Sequence, residues 1–138
     1  MNSNTAKLAL YFLIIGDEFK KAFNKLNDCP CSLRDMKIVQ FLSTGAKTMS
    51  ELAEFMNLTA GSMTSAVDSL IESKLVKRDF DKNDRRKINI ILTKKGENIA
   101  KQLHEKHFEI SEKILSTLEK KEQEEFLNLL GKITSNLN

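Results

Sequence analysis

The chain has no tryptophan, one tyrosine, one proline and five glycines among 138 residues. So little glycine and proline excludes collagen-like, disordered and loop-repeat classes and leaves a helix-rich chain, of a length suited to one soluble domain spanning residues 1–138. Long apolar runs are missing as well. The longest, Leu8–Ile15, has eight residues, where a membrane span needs roughly twenty. Lys7 precedes that run as it would a signal-peptide core. However, Asp17 and Glu18 follow at once, no small-residue cleavage site appears, and helical apolar spacing continues beyond it. The run is therefore expected to be mature structure in a cytoplasmic protein. Cys29 and Cys31, one residue apart, are too few for a disulfide framework, and reduced thiols are expected. Catalytic signatures are absent too. There is no phosphate-cradling glycine loop, no strand-turn-serine elbow, no HExxH, and no histidine far from His104 and His107 to complete a triad. The expectation is a protein that is neither an enzyme nor dependent on a cofactor.

What is present is apolar spacing. Leu8, Phe12, Ile15, Phe19, Phe23 and Leu26 predict a long amphipathic helix over about residues 4–27, and Tyr11 and Ile14 widen its apolar face beyond one stripe. Asp28-Cys29-Pro30-Cys31 breaks it. Ser32 then caps a second helix with Asp35 at its third position, Leu33, Met36, Val39, Phe41 and Leu42 along it, and Gly45 at its end. Thr48 and Glu51 form a capping box for a short helix to Met56, and Asn57 suits the left-handed turn after it. Thr59 caps a fourth helix with Met63, Val67, Leu70 and Ile71 inward. Its opposite face holds Gly61, Ser62, Thr64, Ser65, Asp68 and Ser69, without one large apolar side chain. Leu75–Phe80 and Lys87–Leu92 read as two strands joined by the polar link 81–86, a β-hairpin. Thr93 caps a long helix carrying Ile99, Leu103, Ile110 and Ile114. A break near Ser116-Thr117 precedes a last helix with Phe126, Leu130, Ile133 and Leu137.

The mild net charge of +3 conceals a local one. Residues 59–95 carry nine basic and five acidic side chains, so this segment is +4 and the remainder −1. A charge run alone is usually a solvated face. Here the basic loop directly follows a short helix, a tight turn and a helix with a small polar outer face, and Ala53, Asn57 and Met63 fall where two crossing helices need a small residue, a turn residue and an apolar contact. That order is the layout of a winged helix-turn-helix, mainly α with a small β-hairpin wing. A basic hairpin beside such a helix suits a phosphate backbone, with salt-dependent affinity.

The runs Leu52-Ala53-Glu54, Leu58-Thr59 through Thr64, Val67-Asp68-Ser69-Leu70, Leu75-Val76-Lys77-Arg78, Asp81 to Arg86, and Leu92-Thr93-Lys94-Lys95-Gly96 together resemble the MarR family of transcriptional regulators, from about Ser32 to Gly96. The resemblance implies a six-helix fold and an intertwined homodimer. Its N- and C-terminal helices (about 4–27 and 97–137) would make the dimer, and a lobe of about 32–96 would bind double-stranded DNA at an inverted-repeat operator. It further implies that Arg86 enters the minor groove, where A·T-rich sequence concentrates negative potential, and that Asp84 orients it. The expected DNA-binding residues are Thr59, Ala60, Gly61, Ser62, Thr64, Ser65, Arg78, Lys82, Asp84, Arg85, Arg86 and Lys87. One departure matters. Relatives often expose arginine on the recognition helix, whereas Ala60, Gly61, Ser62 and Ser65 stand there, without the usual bidentate reader of guanine. The wing is therefore expected to supply much of the affinity.

The resemblance also implies a repressor released by a signal, and three kinds of signal have candidates. A small amphipathic effector would lie near Tyr11, Phe12 and Met36, residues that core packing explains equally well. Oxidation would act on Cys29 and Cys31, whose neighbour Asp28 is no cation to lower a thiol pKa. Zinc would use His104 and His107, three apart on one helix, with Cys29 and Cys31 of the first loop as the further members of the set, although no pattern fixes a third or fourth ligand and no metal site is expected. An alternative of another class is a winged-helix protein–protein adaptor without DNA binding, against which Asp84-Arg85-Arg86 speaks.

Overall fold

A computed structural model of the chain describes residues 3–26, 31–84 and 86–137. Six helices and three short strands follow in the order α1 (Ser3–Asn24), α2 (Leu33–Leu42), β1 (Lys47–Thr48), α3 (Met49–Met56), α4 (Ala60–Glu72), β2 (Val76–Phe80), β3 (Ile88–Leu92), α5 (Lys94–Leu115) and α6 (Lys120–Ser135). Hydroxyl side chains set four of the helix starts. Ser32 accepts the Asp35 amide and Asp35 accepts the Ser32 amide; Thr48 and Glu51 exchange the same two bonds; Thr59 accepts the Ser62 amide. Thr93 accepts the Gly96 amide. Each satisfies donors that the first helical turn leaves without a partner.

The ends depart more from expectation. α1 stops at Asn24 rather than near residue 27, with the Leu26 amide bonding the Phe23 carbonyl in a closing turn. α2 ends at Leu42, and Gly45 serves the following corner at φ +130°, a conformation that favours glycine. Asn57 takes the expected left-handed geometry, φ 52° and ψ 47°. Lys74 does the same at φ 60° with no sequence signal for it. Its amide bonds the Ile71 carbonyl and the Leu75 amide bonds the Leu70 carbonyl, which is the Schellman pattern closing α4.

The expected hairpin is a three-stranded antiparallel sheet of order β1-β3-β2. β1 adds Lys47 opposite Ile90 and Thr48 opposite Asn89. Two residues are too short to show an alternating period, so only tertiary pairing reveals the strand. Between β2 and β3 the register runs from Val76 opposite Leu92 to Phe80 opposite Ile88.

The chain divides into two compact units, Phe23–Glu105 and Met1–Ala22 with Lys106–Asn138. The first holds the core. Ile38, Val39 and Leu42 from α2, Leu52 from α3, Met63, Val67 and Leu70 from α4, and Ile90, Ile99 and Leu103 are all buried. Each such side chain contributes about 1.5–3 kcal/mol of transfer free energy. The strand-to-helix joint is tight: Thr93 bonds the Lys74 and Leu75 carbonyls, and a Cβ on Gly96 would collide with the Leu75 carbonyl. In the second unit Glu18 holds Lys113 at 3.0 Å and the Phe19 ring meets His107 edge-on at 5.3 Å. Its large apolar side chains are mostly exposed.

Candidate nucleic-acid interface

α4 presents the small polar face expected of it. Ala60, Gly61, Ser62, Thr64, Ser65, Asp68 and Ser69 are exposed, while Met63, Ala66, Val67 and Leu70 are buried. Three of the hydroxyls have local partners. Thr59 donates to Ser62 Oγ at 3.0 Å while accepting its amide, and Thr64 donates to the Ala60 carbonyl at 2.9 Å. Thr59 and Ser62 thus engage each other at the start of α4, and Thr64 bonds back along the helix. The face is shallow and hydroxyl-rich, able to approach a duplex closely and to exchange hydrogen bonds with bases or phosphates.

The wing tip is built by its own acids. The Asp81 carboxylate accepts the Asn83 amide at 2.8 Å, and the Asp84 carboxylate accepts the Arg86 amide at 3.0 Å. The Asp81 amide bonds the Lys87 carbonyl, and the Lys87 amide bonds the Asp84 carbonyl, closing the turn. Asp84 therefore positions the Arg86 backbone, and its side chain need not touch the guanidinium to do so. Lys82, Arg86 and Lys87 are exposed and make no ion pair among the described residues. Arg85 lies outside the described residues.

Arg78 lies lower on the wing, and its guanidinium donates to Asp68 Oδ1 at 2.7 Å. This pair ties β2 to the outer face of α4. Sequence spacing did not reveal it, because the two residues belong to different elements: Arg78 reads there as a DNA contact and Asp68 as part of the outer face of α4. The pair offsets one of the two carboxylates, Asp68 and Glu72, that α4 exposes on this side. Toward the tip from Arg78 stand two exposed apolar residues, Phe80 and Ile88.

The signal candidates are dispersed. Tyr11 and Phe12 are exposed on α1, while Met36 is buried in α2, in the other compact unit. His104 is exposed and lines a shallow cleft of about 570 Å³ with Leu42, Ile91, Glu97 and Lys101, whereas His107 belongs to the other unit. Among the described residues no three His, Cys, Asp or Glu side chains are grouped to hold a metal. Cys31 is half-buried, and Cys29 lies outside the described residues.

Helix, turn, helix and a basic antiparallel wing define a winged helix-turn-helix protein. The family model for the MarR family matches residues 41–88. The HTH-type transcriptional regulator YpoP of Bacillus subtilis (strain 168) is 33% identical over 95 residues, covering 66% of this chain and 67% of the relative. The HTH-type transcriptional repressor YetL of the same organism is 30% identical, covering 64% and 53%. A mutant of Staphylococcus aureus MepR bound to an oligodeoxyribonucleotide has the same fold, with a TM-score of 0.66 at 23% identity, covering 96% of this chain and 98% of that one. The chain belongs to the MarR family of HTH-type transcriptional regulators. Among the described residues no helix is long and apolar enough to cross a membrane.

Proposed function

We propose that this regulator is a homodimer that binds an inverted-repeat operator and represses nearby genes until a signal releases it. The observation that carries the DNA-binding part is the juxtaposition just described: a small hydroxyl-rich recognition face tied through Asp68 to a wing whose tip holds Arg86 by its backbone. The oligodeoxyribonucleotide bound by the MepR mutant and the repressor name of YetL favour the same reading. α4 supplies Ala60, Gly61, Ser62, Thr64 and Ser65 to the major groove, and the wing supplies Lys82, Arg85, Arg86 and Lys87 to phosphates and the minor groove. Arg78 acts through Asp68 as a positioning residue. Two copies place their recognition helices about 34 Å apart along the duplex, one helical turn.

Release requires a signal that favours the DNA-incompetent arrangement over the competent one, since equal affinity for both shifts nothing. An amphipathic organic effector is the signal that this reading carries. The test is a mobility-shift titration on DNA upstream of the protein's own coding region at two salt concentrations. A sharp shift that weakens steeply with salt is expected. No shift on this DNA or on any duplex selected from random sequence, or only a nonspecific one unaffected by Arg86→Ala, would replace this reading with a protein–protein adaptor. Within a working interface, Arg86→Ala should weaken binding about ten- to a hundredfold and Ser65→Ala only a few-fold. Equal losses would overturn that division between wing and helix.

A further inference from the structure

Opposite residues of an antiparallel pair share a face of the sheet. Val76, Arg78 and Phe80 of β2 therefore lie on one face with their partners Leu92, Ile90 and Ile88 of β3. Arg78 on that face reaches Asp68, so this is the side of the wing turned toward α4. Along it burial fades toward the tip: Val76 and Ile90 are buried, Phe80 is 57% exposed and Ile88 36% exposed. On the other face at the same level the pair is Asp79 and Asn89, which is what a solvated strand end ordinarily carries. Apolar side chains are thus confined to the face shared with the recognition helix, between the Arg78–Asp68 tie and the Arg86 turn.

We propose that Phe80 and Ile88 form an apolar pad that packs on the deoxyribose edge of the bound duplex, a reading that rests on the DNA-binding function above. The pad continues the proposed interface, with Arg86 two residues beyond Ile88, and the walls of the groove next to a minor-groove arginine are the C–H surfaces of the sugars. Such contact adds affinity by removing apolar area from water and releases no counterions. It offers a physical answer to the missing arginine of the recognition helix: part of the affinity comes from a term that salt does not screen.

The test uses the full chain and the duplex that the wild-type protein selects from random sequence, read by fluorescence anisotropy across a salt series. Phe80→Ser should weaken binding about tenfold at every salt concentration while leaving the slope of log K against log salt unchanged, and Phe80→Leu should retain most of the affinity. Arg86→Ala should instead lower that slope by about one. Ile88→Ser serves as the second pad variant, and unchanged thermal midpoints show that both fold. Phe80→Ser binding within about twofold of wild type, or losing slope together with affinity, overturns the pad while leaving the DNA-binding reading intact. Altered self-association with unchanged DNA affinity overturns it in favour of a second copy of this chain as the occupant. A wild-type protein that selects no duplex overturns both.

Discussion

Two carboxylates show how single residues prepare the interface. Asp84 accepts the Arg86 amide, so what matters at that position is an acceptor oxygen rather than a charge. Asp84→Asn should keep DNA affinity within about twofold, whereas Asp84→Ala should release the turn and cost about five- to tenfold, with no change in thermal midpoint because the tip is exposed. Anisotropy on one duplex with both variants checks this. Glu51 acts on the fold: the Thr48 amide it accepts, then the Thr48 side chain, then Lys47, hold its carboxyl below the ordinary value of 4.5. A depressed folded-state pKa contributes stability that is fully present above the ordinary value and lost as pH falls through the lowered one. Glu51→Ala should therefore lower the thermal midpoint at neutral pH, and the gap from wild type should close as pH drops below about 4.5. A gap that stays constant down to pH 3 would show that the carboxylate is not its source. Glu51 was legible in the sequence because it acts on an amide three residues away, whereas Asp84 stood out only through the family resemblance, and its bond to the Arg86 amide comes from the structure.

Between elements the sequence says less, since the partners are distant in the chain. The caps at Ser32, Thr48 and Thr59 and the turn at Asn57 are local signals, and all four form as expected. β1 exists only because Lys47 meets Ile90, and the Arg78–Asp68 tie only because packing sets β2 beside α4. The left-handed Lys74 belongs to this second kind. No turn residue marks it, yet the Schellman bonds at the end of α4 and the demand of Thr93 for the Lys74 carbonyl hold it there. A lysine in that conformation costs about 1 kcal/mol that glycine avoids. Lys74→Gly should therefore raise the thermal midpoint by about 2–4 °C, read by circular dichroism or calorimetry. Gly96→Ala should do the reverse, destabilising by about 1–3 kcal/mol as its methyl displaces the Leu75 carbonyl from the same joint. A midpoint unmoved by either change would mean that the joint between α4, β2 and α5 tolerates far more freedom than its hydrogen bonds imply.

At the scale of the whole molecule the decisive asymmetry is between the two compact units. Phe23–Glu105 buries a continuous apolar core. In the unit formed by the two ends of the chain, Ile110 is the one large apolar side chain buried among the described residues, while Leu8, Leu10, Tyr11, Phe12, Leu13 and Ile14 are each at least half exposed. α6 repeats the pattern with Leu127, Leu129 and Ile133, each about half exposed. Helices this apolar and this bare are not stable in water alone, because burial is what offsets the conformational entropy of ordering them. The periodicity over Leu8–Leu26 already carried that message as a face too wide for one stripe; what it lacked was the partner, since the arrangement of two copies is not encoded in the spacing of one. A second copy laid on these helices would supply the missing burial, so folding and dimerisation should be one equilibrium and the thermal midpoint should rise with protein concentration. Leu13→Glu should break that coupling. The variant should sediment as a 15.7 kDa monomer, lose the concentration dependence of its midpoint, and bind single half-sites without the affinity of the paired operator. Wild-type protein that sediments at 15.7 kDa with a concentration-independent midpoint would overturn the dimer and, with it, the inverted-repeat operator.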